Sequence, residues 1–354
     1  MIPLAAEDLE HVLKHTRPLW EQARRRRIFL TGCTGFFGAW LLESLVFCNR
    51  ALELNLSATV LSRDPDAFAS KMPHLANEPA LQWLKGDIRS FTFPEGEFDY
   101  VLHGAASTSA YAAVQPRELL STMIQGTERM LAFAKASGAK SFLFTSSGAV
   151  YGPQPASISH IPEDYSGGPA WLDPNAPYAS GKRVSEQMCA KQAGESKTRF
   201  TIARCFAFVG PHLPLDQHFA IGNFIGDALA GRSIAVNGDG TPMRSYLYAA
   251  DLAVWLWTML LGEGQPEVNP EVFNVGSGEA ISIGDLAKLV IEELALDELN
   301  QSLKVQIARQ PDEDAPRQQY VPDVTRAEAR LGLHPIIGLR EAIRRTAAWH
   351  RQQS

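Results

Sequence analysis

Apolar residues run without interruption through several short segments, and amphipathic stretches with helical spacing separate them. The apolar segments predict strands at 28–31, 57–62, 81–85, 98–103 and 141–146. The amphipathic stretches predict helices at 36–48 and 117–137. Continuously apolar strands that alternate with helices are typical of a parallel sheet covered by helices on both faces. We therefore predict an α/β fold of the Rossmann type, with a doubly wound parallel sheet.

The pattern divides the chain into three parts. Residues 1–27 predict an N-terminal helical extension, and residues 28–210 a dinucleotide-binding domain that ends in a strand at 200–209. Residues 211–354 are short elements punctuated by glycine and proline, with helices near 218–230, 249–261, 282–294 and 338–350. We expect this last part to form mainly a smaller substrate-binding lobe, from which some segments can return to the sheet, because such folds bind ligands at the carboxyl ends of their strands.

Composition narrows the classes of protein that fit. The 354 residues carry a formal net charge of −6 and the pI is about 5.9, which argues against nucleic acid as the main partner. The basic run Arg24–Arg27 is expected to be the solvated end of the N-terminal helix. No stretch reads as a membrane span or a secretory signal, and the four cysteines have neither disulfide nor metal spacing. We therefore expect a cytoplasmic protein without a metal site or a membrane partner.

The most informative segment, residues 28–38, reads IFLTGCTGFFG. A strand runs into glycines at 32, 35 and 38, and a helix begins at once, so free backbone N–H groups and a positive helix end lie where a pyrophosphate can bind. The residues expected to contact a dinucleotide in this loop are Gly32, Thr34, Gly35, Phe36, Phe37 and Gly38.

The end of the second strand bears on cofactor choice. Rossmann domains that prefer NAD usually place an acidic residue there to bind the ribose 2′-hydroxyl. Here Ser62 and Arg63 occupy that place, and a hydroxyl with a guanidinium suits a 2′-phosphate, which favours NADP(H). In the alternative, Arg63 is a surface side chain, Asp64 binds the ribose and the cofactor is NAD(H).

Two further strand ends are expected to contact the cofactor. Asp87 and Ile88 follow the third strand, where an aspartate can meet the adenine edge, although an ordinary turn aspartate is the alternative. The fourth strand ends in His103 and then small residues, including Ala105 and Ala106, which leave room for the cofactor.

The candidate catalytic pair is Tyr178 and Lys182, which stand four residues apart and therefore share one face of a helix. A free tyrosine ionises near pH 10, and a neighbouring lysine cation together with a nicotinamide charge is expected to lower that pKa. The tyrosine can then take a proton from an alcohol while hydride leaves, or return it during reduction. Ser147, at the end of the fifth strand, is the hydroxyl expected to hold the reacting oxygen.

These features together resemble the extended short-chain dehydrogenase/reductase family, specifically its NAD(P)-dependent nucleotide-sugar epimerases, dehydratases and ketoreductases. The likeness covers residues 28 to about 335, and its motifs are TGCTGFFG, GDI, HGAA, SSGAVYG, YASGK, RCFAFVGP, VNGDGTPMRSYLYAADL, FNVGS and PRQQY. The resemblance implies a catalytic triad of Ser147, Tyr178 and Lys182. It also implies a nucleotide-diphosphate sugar as substrate and a homodimer formed through helices around 117–137 and 178–194. The implied substrate contacts are Ser107, Thr108, Ser147, Asn223, Arg244 and Arg317, of which the two arginines would hold the diphosphate.

The chain departs from the family at positions that matter for the reaction. The 4,6-dehydratases carry Thr-Asp-Glu where this chain has Ser147, Gly148 and Ala149, so the acid and base that eliminate water are missing. The nearest substitutes are Glu163 and Asp164, whose alternative interpretation is a solvated acidic turn. Met123 and Ala207 stand where the family usually has asparagine, which changes the expected sugar contacts.

The sequence therefore predicts an NAD(P)-dependent nucleotide-sugar epimerase or 4-ketoreductase that acts at sugar C4 in surface-polysaccharide biosynthesis. One alternative is a nucleotide-sugar dehydratase with a non-standard acid and base. Another is a reductase of a carbonyl compound without a nucleotide, against which the two arginines argue. A catalytically silent dinucleotide-binding protein is disfavoured because both Tyr178 and Lys182 are present.

Overall fold

A computed structural model describes residues 1–105, 115–170, 172–217, 219–264, 268–294, 303–312 and 317–353. These residues form two compact units. The first unit comprises residues 1–152, 167–205 and 253–273, and the second comprises residues 153–166, 206–252 and 274–354. The chain thus passes into the second unit after Cys205 and returns to the first at Ala253.

A parallel sheet forms the centre of the first unit. Its strands are β1 (Arg27–Thr31), β2 (Ser57–Ser62), β3 (Leu81–Lys85), β4 (Tyr100–His103), β5 (Ser141–Ser147), β6 (Arg199–Cys205) and β11 (Glu271–Val275). In the described part of the chain the strand order is β11-β6-β5-β4-β1-β2-β3, and the pairs from β6 to β3 are all parallel. This topology confirms the predicted doubly wound Rossmann fold; β11 was not predicted.

Helices flank this sheet. They are α1 (Ala6–Gln22), α2 (Phe36–Ala51), α3 (Pro65–Lys71), α4 (Pro73–Ala76), α5 (Pro116–Ala136), α6 (Pro177–Ala193) and, from residue 253 onward, α8 (Ala249–Leu261). A 3₁₀ turn at Gly148–Tyr151 follows β5 directly. None of the helices in the described segments is long and apolar enough to cross a membrane.

The N-terminal helix α1 belongs to the core of the first unit. Trp20 is fully buried, and its ring centroid lies 4.7 Å from that of Trp257 on α8. The Trp257 Nε1 donates a hydrogen bond of 2.9 Å to the Ser44 hydroxyl on α2. The predicted extension is therefore packed against α2 and α8, and most of α8 lies in the first unit and not in the smaller lobe.

The basic run after α1 has partners within the first unit. Arg24 donates to the carbonyl oxygens of Leu52 and Glu53, and Arg26 pairs with Asp99 at 3.1 Å. The Arg27 guanidinium lies 4.1 Å above the Phe98 ring. Arg24, Arg25 and Arg26 are exposed, as expected for a solvated helix end. The contacts of this run also fasten the chain entering β1 to its surroundings.

The second unit contains short strands and amphipathic helices. Its elements are β7 (Phe208–Val209), α7 (Ala220–Leu229), β8 (Ile234–Val236), β9 (Met243–Arg244), β10 (Leu247–Tyr248), β12 (Ile281–Ser282), α9 (Ile283–Leu294), β13 (Val305–Ile307), β14 (Gln319–Tyr320), α10 (Thr325–Leu331) and α11 (Leu339–Arg351). The strand predicted at 200–209 is wrong in one respect, because it is two strands. The first, β6, joins the main sheet, whereas β7 pairs with β10 in the second unit.

Candidate active site

The glycine loop between β1 and α2 is closely packed on one side and open on the other. Gly32 has φ +77°, and a Cβ there would lie 2.3 Å from the Gly104 carbonyl carbon; a Cβ on Gly38 would lie 2.1 Å from that of Cys33. By contrast, nothing lies within 4 Å of the Cβ position of Gly35, the N-cap residue of α2. Open space beside the start of a helix is what a dinucleotide pyrophosphate requires. The loop therefore fits the predicted cofactor.

Other residues of this loop complete its surface. Thr34 is exposed, whereas Phe36 and Phe37 are half-buried in the first turn of α2. Cys33 is buried, and burial raises the pKa of its thiol to about 12, so it is not a nucleophile at neutral pH.

Asp64, the acidic residue just after β2, caps a helix. The Asp64 carboxylate accepts a 3.0 Å hydrogen bond from the Ala67 N–H and caps α3, while the Ser62 hydroxyl accepts one of 3.1 Å from the Asp64 N–H. Arg63 is exposed. One Asp64 oxygen is thus committed to the backbone, while the Arg63 guanidinium extends into solvent beside it.

Asp87, expected at the adenine edge, is paired with Arg89. Its carboxylate accepts hydrogen bonds of 2.8 and 2.7 Å from the Arg89 guanidinium, and these bonds hold its pKa well below the usual range, at about 2. Ile88 is buried, with its side chain against Gly126 of α5. Asp87 is therefore an ionised partner of Arg89, and its contact with adenine stays a prediction.

His103 faces the protein interior. Its Nδ1 lies 3.1 Å from the Thr31 hydroxyl and its Nε2 lies 3.1 Å from the Thr127 hydroxyl, which donates to Ser185 on α6 at 3.0 Å. Burial lowers the pKa of His103 to about 3, so the ring is neutral. The imidazole links β1, β4, α5 and α6, and both of its ring nitrogens are used in these contacts.

Ala105, two residues after His103, is half-buried, and its N–H donates to the Thr31 hydroxyl at 3.3 Å. The predicted residues Ala106, Ser107 and Thr108 lie outside the described part of the chain.

The structure brings the predicted triad together. Tyr178 and Lys182 lie one turn apart on α6, and the Tyr178 hydroxyl is hydrogen bonded to that of Ser147 at the end of β5. The buried Lys182 donates a 2.5 Å hydrogen bond from Nζ to the Thr145 carbonyl, and Nζ lies 5.9 Å from the Tyr178 ring centroid. The phenol, the lysine amine and the hydroxyl of the predicted triad thus meet at the carboxyl end of the sheet, where they could serve acid–base chemistry.

Burial dominates the electrostatics of the pair. Burial raises the pKa of Tyr178 to about 12, against the effect of the Ser147 hydrogen bond, and burial lowers the pKa of Lys182 to about 8. Lysine by itself does not lower the tyrosine pKa, because desolvation disfavours both charged forms and Nζ donates to the Thr145 carbonyl. The predicted lowering by lysine and nicotinamide together stays a prediction. A positive charge beside the phenol, such as oxidised nicotinamide carries, would favour its ionised form.

Of the two candidate substitutes for a dehydratase acid and base, Glu163 is bound inside the second unit and Asp164 is exposed. Gly148 and Ala149 form the turn after Ser147 and have no ionisable atoms. The Glu163 side chain, buried in the second unit, accepts a 2.9 Å hydrogen bond from the Asn274 N–H and lies 3.5 Å from Arg326 Nε. Burial raises the pKa of its carboxyl group. Glu163 therefore fastens residues 153–166 to their own unit; Asp164 is exposed.

The predicted substrate contacts of the second unit lie in different surroundings. The Arg244 guanidinium lies 6.0 Å from the Tyr320 ring centroid, and Tyr320 lies 4.7 Å from Phe206. Arg317 lines a cavity of about 380 Å³ with Asp239 and Lys288 among others, and Arg244 is not among its described lining residues. Joint binding of one diphosphate by the two arginines stays a prediction.

Asn223 on α7 has a buried acceptor that is available to a ligand. Its Oδ1 is buried and has no hydrogen-bond partner among the described residues. A buried acceptor without a partner costs free energy, which a bound hydroxyl or amide would recover.

Comparison with known proteins decides the family. The pattern of the NAD dependent epimerase/dehydratase family matches residues 28–276. The chain belongs to this family. The predicted resemblance is thereby confirmed, and so is an enzyme of the extended short-chain dehydrogenase/reductase type.

Individual members of the family match most of the chain. UDP-glucuronic acid decarboxylase 5 of Arabidopsis thaliana is 29% identical over 317 residues, which is 90% of this chain and 87% of the relative. The UDP-glucose 4-epimerase structure from Thermotoga maritima is similar with a TM-score of 0.73 and 23% identity, covering 92% of this chain and 99% of that one. The UDP-N-acetylglucosamine 4-epimerase of Methanobrevibacter ruminantium has a TM-score of 0.76 at 22% identity, covering 94% and 100%. The structural likenesses confirm the fold.

Sequence reasoning missed one group beside the triad. Glu186 lies one turn beyond Lys182 on α6 and is bound by Arg204 and Ser146. The repeated spacing of four residues from Tyr178 through Lys182 to Glu186 was the available signal.

Proposed function

We propose that this family member is an NAD(P)-dependent enzyme that moves hydride at C4 of a nucleotide-diphosphate sugar, as a 4-epimerase or a 4-ketoreductase. The observation that carries the proposal is the hydrogen-bonded Tyr178–Ser147 pair with Lys182 on the same helix, in the unit that holds the open glycine loop. The unpartnered Asn223 acceptor and the Arg244 cation supply polar contacts in the second unit that suit a sugar nucleotide.

Each side chain has a definite task in this reaction. Tyr178 takes the proton of the C4 hydroxyl during oxidation and returns it during reduction, while Ser147 donates a hydrogen bond to the same oxygen. Lys182 supplies positive charge that stabilises the phenolate. A dinucleotide held at the glycine loop would supply the acceptor and donor for the C4 hydride. An epimerase carries out both halves with a rotation of the keto sugar between them, whereas a ketoreductase carries out only the reduction.

A second candidate, decarboxylation, is favoured by the curated relatives. Several of them are named UDP-glucuronic acid decarboxylases and match about 90% of this chain, among them those numbered 5, 6 and 3 in Arabidopsis thaliana. Oxidation at C4 of a uronic acid creates a ketone β to the carboxylate. The bond between C5 and the carboxylate then breaks, carbon dioxide leaves, and the electron pair forms an enolate between C4 and C5. A proton from water adds at C5 and the hydride returns to C4, so the carbon–carbon cleavage itself needs no acid or base at Gly148 or Ala149. The same Tyr178 chemistry would therefore serve this reaction.

The preference for NADP(H) is part of the proposal. Its support is the exposed Arg63 beside Asp64, whose carboxylate caps α3. Arg89, paired with Asp87 after β3, adds a second guanidinium in this region. Two guanidiniums suit the extra phosphate of NADP(H).

We also propose a cytoplasmic homodimer that serves surface-polysaccharide biosynthesis. All four cysteines lie in described segments, are buried and are unpaired, which suits a reducing compartment. Helices α5 and α6 pack against each other, and α6 leaves Val184 40% exposed on its outer face, which is an apolar contact for a second copy.

The test is to incubate the purified protein with UDP-, dTDP-, CDP- and GDP-hexoses and with UDP-glucuronic acid, in the presence of NAD or NADPH. Chromatography with mass spectrometry then separates the outcomes. A C4 isomer, or a reduced product formed from a 4-keto sugar, supports the main proposal. Loss of carbon dioxide from UDP-glucuronic acid supports the decarboxylase, and loss of water overturns the exclusion of a dehydratase. Reduction of nucleotide-free carbonyl compounds alone would contradict both candidates.

A further inference from the structure

A buried ionic cluster lies directly beside the catalytic pair. Its members are Glu186 on α6, Arg204 on β6, Ser146 on β5 and Tyr151 in the 3₁₀ turn; we call it the Glu186 cluster. Glu186 and Arg204 have side-chain exposures of only 11% and 15%. Paired charges at such burial require good geometry to offset the loss of hydration.

The hydrogen bonds of the Glu186 cluster meet that requirement. Both Glu186 oxygens accept from Arg204, with contacts of 3.0 Å to Nε and 2.7 Å to Nη2. The Ser146 hydroxyl donates to Glu186 Oε1 at 2.5 Å, and Arg204 Nη1 donates to the Tyr151 hydroxyl at 2.9 Å. The carboxylate is therefore held in one position by Arg204 on β6 and Ser146 on β5, and Arg204 is itself bonded to Tyr151 in the 3₁₀ turn.

The cluster adjoins two residues of the triad, Lys182 and Ser147. Glu186 is one helical turn from Lys182, Ser146 precedes Ser147, and Tyr151 ends the turn that Ser147 begins. Across β5 and β6, Ser146 is in register with Arg204 and Ser147 with Cys205. A displacement of Glu186 would thus shift both the helix that carries Tyr178 and the strand end that carries Ser147.

Around Lys182, Glu186 is the group whose charge matters at neutral pH. The titratable side chains that act on Lys182 or on which it acts are Tyr178, Glu186 and Cys189 on α6, Cys205 on β6 and His103 on β4, with Arg204 behind Glu186. Burial raises the pKa values of Tyr178 and Cys205 to about 12 and lowers that of His103 to about 3, so these groups are uncharged. Burial likewise raises the pKa of Cys189. Glu186 opposes the effect of burial on Lys182.

We propose that Glu186, clamped by Ser146 and by an Arg204 that Tyr151 helps to hold, is a positioning residue that holds its negative charge beside the Lys182 ammonium and ties α6 to the end of β5. It touches neither substrate nor cofactor and acts through Lys182 and Ser147. The inference rests on the catalytic role proposed for Tyr178 and Lys182, but the placement of charge beside Lys182 can be measured without turnover.

The decisive experiment is an NMR titration of Lys182 in protein labelled with ¹³C at the lysine ε-carbon, assigned with Lys182→Arg. Glu186→Gln keeps the shape and removes the charge, and it is expected to lower the midpoint for Lys182 by about one pH unit. The matched control is Glu195→Gln, because Glu195 lies just beyond the C-terminal end of α6 and pairs there with the exposed Lys191, so its loss should leave the midpoint unchanged. A wild-type midpoint in Glu186→Gln would overturn the proposal.

Two further measurements separate positioning from a purely structural role. In Glu186→Asp the charge is kept but withdrawn by one methylene, so the midpoint should lie between those of wild type and Glu186→Gln; this variant also serves if Glu186→Gln does not fold. In turnover, Glu186→Gln should move the alkaline limb of the kcat profile to lower pH while the KM for the nucleotide sugar is unchanged. A lower Tm with no shift of either pH profile would show a structural role only. If no nucleotide sugar is turned over but the Lys182 midpoint shifts, the proposed function fails and the charge placement stands.

Discussion

Replacing Tyr178 by phenylalanine tests the proposed catalytic phenol by itself, because the ring packs against Leu119 and Met123 and phenylalanine keeps that packing. The change removes the hydroxyl and its hydrogen bond to Ser147. A hydrogen bond of this kind contributes about 1 kcal/mol to stability, so the Tm should fall by only a few degrees.

The effect on rate should be far larger. General acid–base catalysis contributes roughly a hundred- to ten-thousandfold, which corresponds to about 2.7–5.4 kcal/mol of transition-state stabilisation. In Tyr178→Phe the neighbouring Lys182 cannot replace the phenol, because its Nζ donates its hydrogen bond to the Thr145 carbonyl. We therefore expect kcat to fall by about that factor while the Kd for the dinucleotide is nearly unchanged.

The assay is turnover of the nucleotide sugar found active in the substrate panel, with dinucleotide binding measured separately by calorimetry. Tyr100→Phe is the matched control, because Tyr100 is the first residue of β4 and lies at the amino ends of the strands, whereas the triad lies at their carboxyl ends. A Tyr178→Phe enzyme that retains more than about a tenth of wild-type kcat would refute the assignment, since that loss is below the range expected for an acid–base group.

Three other substitutions test the cofactor site and the core. Gly35→Ala should leave the Tm unchanged but weaken dinucleotide binding about tenfold or more, because its methyl would enter open space at the start of α2; calorimetry and a thermal melt check both. Arg63→Ala should weaken NADPH binding about ten- to a hundredfold and leave NADH nearly unchanged, and equal losses for the two cofactors would contradict the proposed phosphate contact. Trp257→Phe removes the hydrogen bond to Ser44 and part of the contact with Trp20, and should lower the free energy of unfolding by about 1–3 kcal/mol in a denaturant titration; an unchanged midpoint would show that the N-terminal helix is not part of the core.

The sequence by itself determined the features that depend on near neighbours along the chain. These features are local patterns, each visible within a short stretch of sequence. They are the strand and helix periods, the glycines at 32, 35 and 38, and the four-residue spacing from Tyr178 to Lys182. The strands β1 to β6 of the sheet were therefore predicted along the chain, whereas β11 was not. Ser147 lies beside Tyr178 because parallel strands end at a common edge, near which the following helix begins.

Only the tertiary structure decided which polar and aromatic groups were already committed to partners far away in sequence. Trp20 meets Trp257, and Glu163 meets the Asn274 backbone, so an apparent extension is core and an apparent surface acid is an anchor. Local spacing cannot reveal such pairs, because their partners are brought together by the packing of whole elements. The pKa of Tyr178 follows the same rule: the sequence shows the lysine one turn away, but the direction of the shift depends on how deeply both groups are desolvated, and burial is a property of the folded chain.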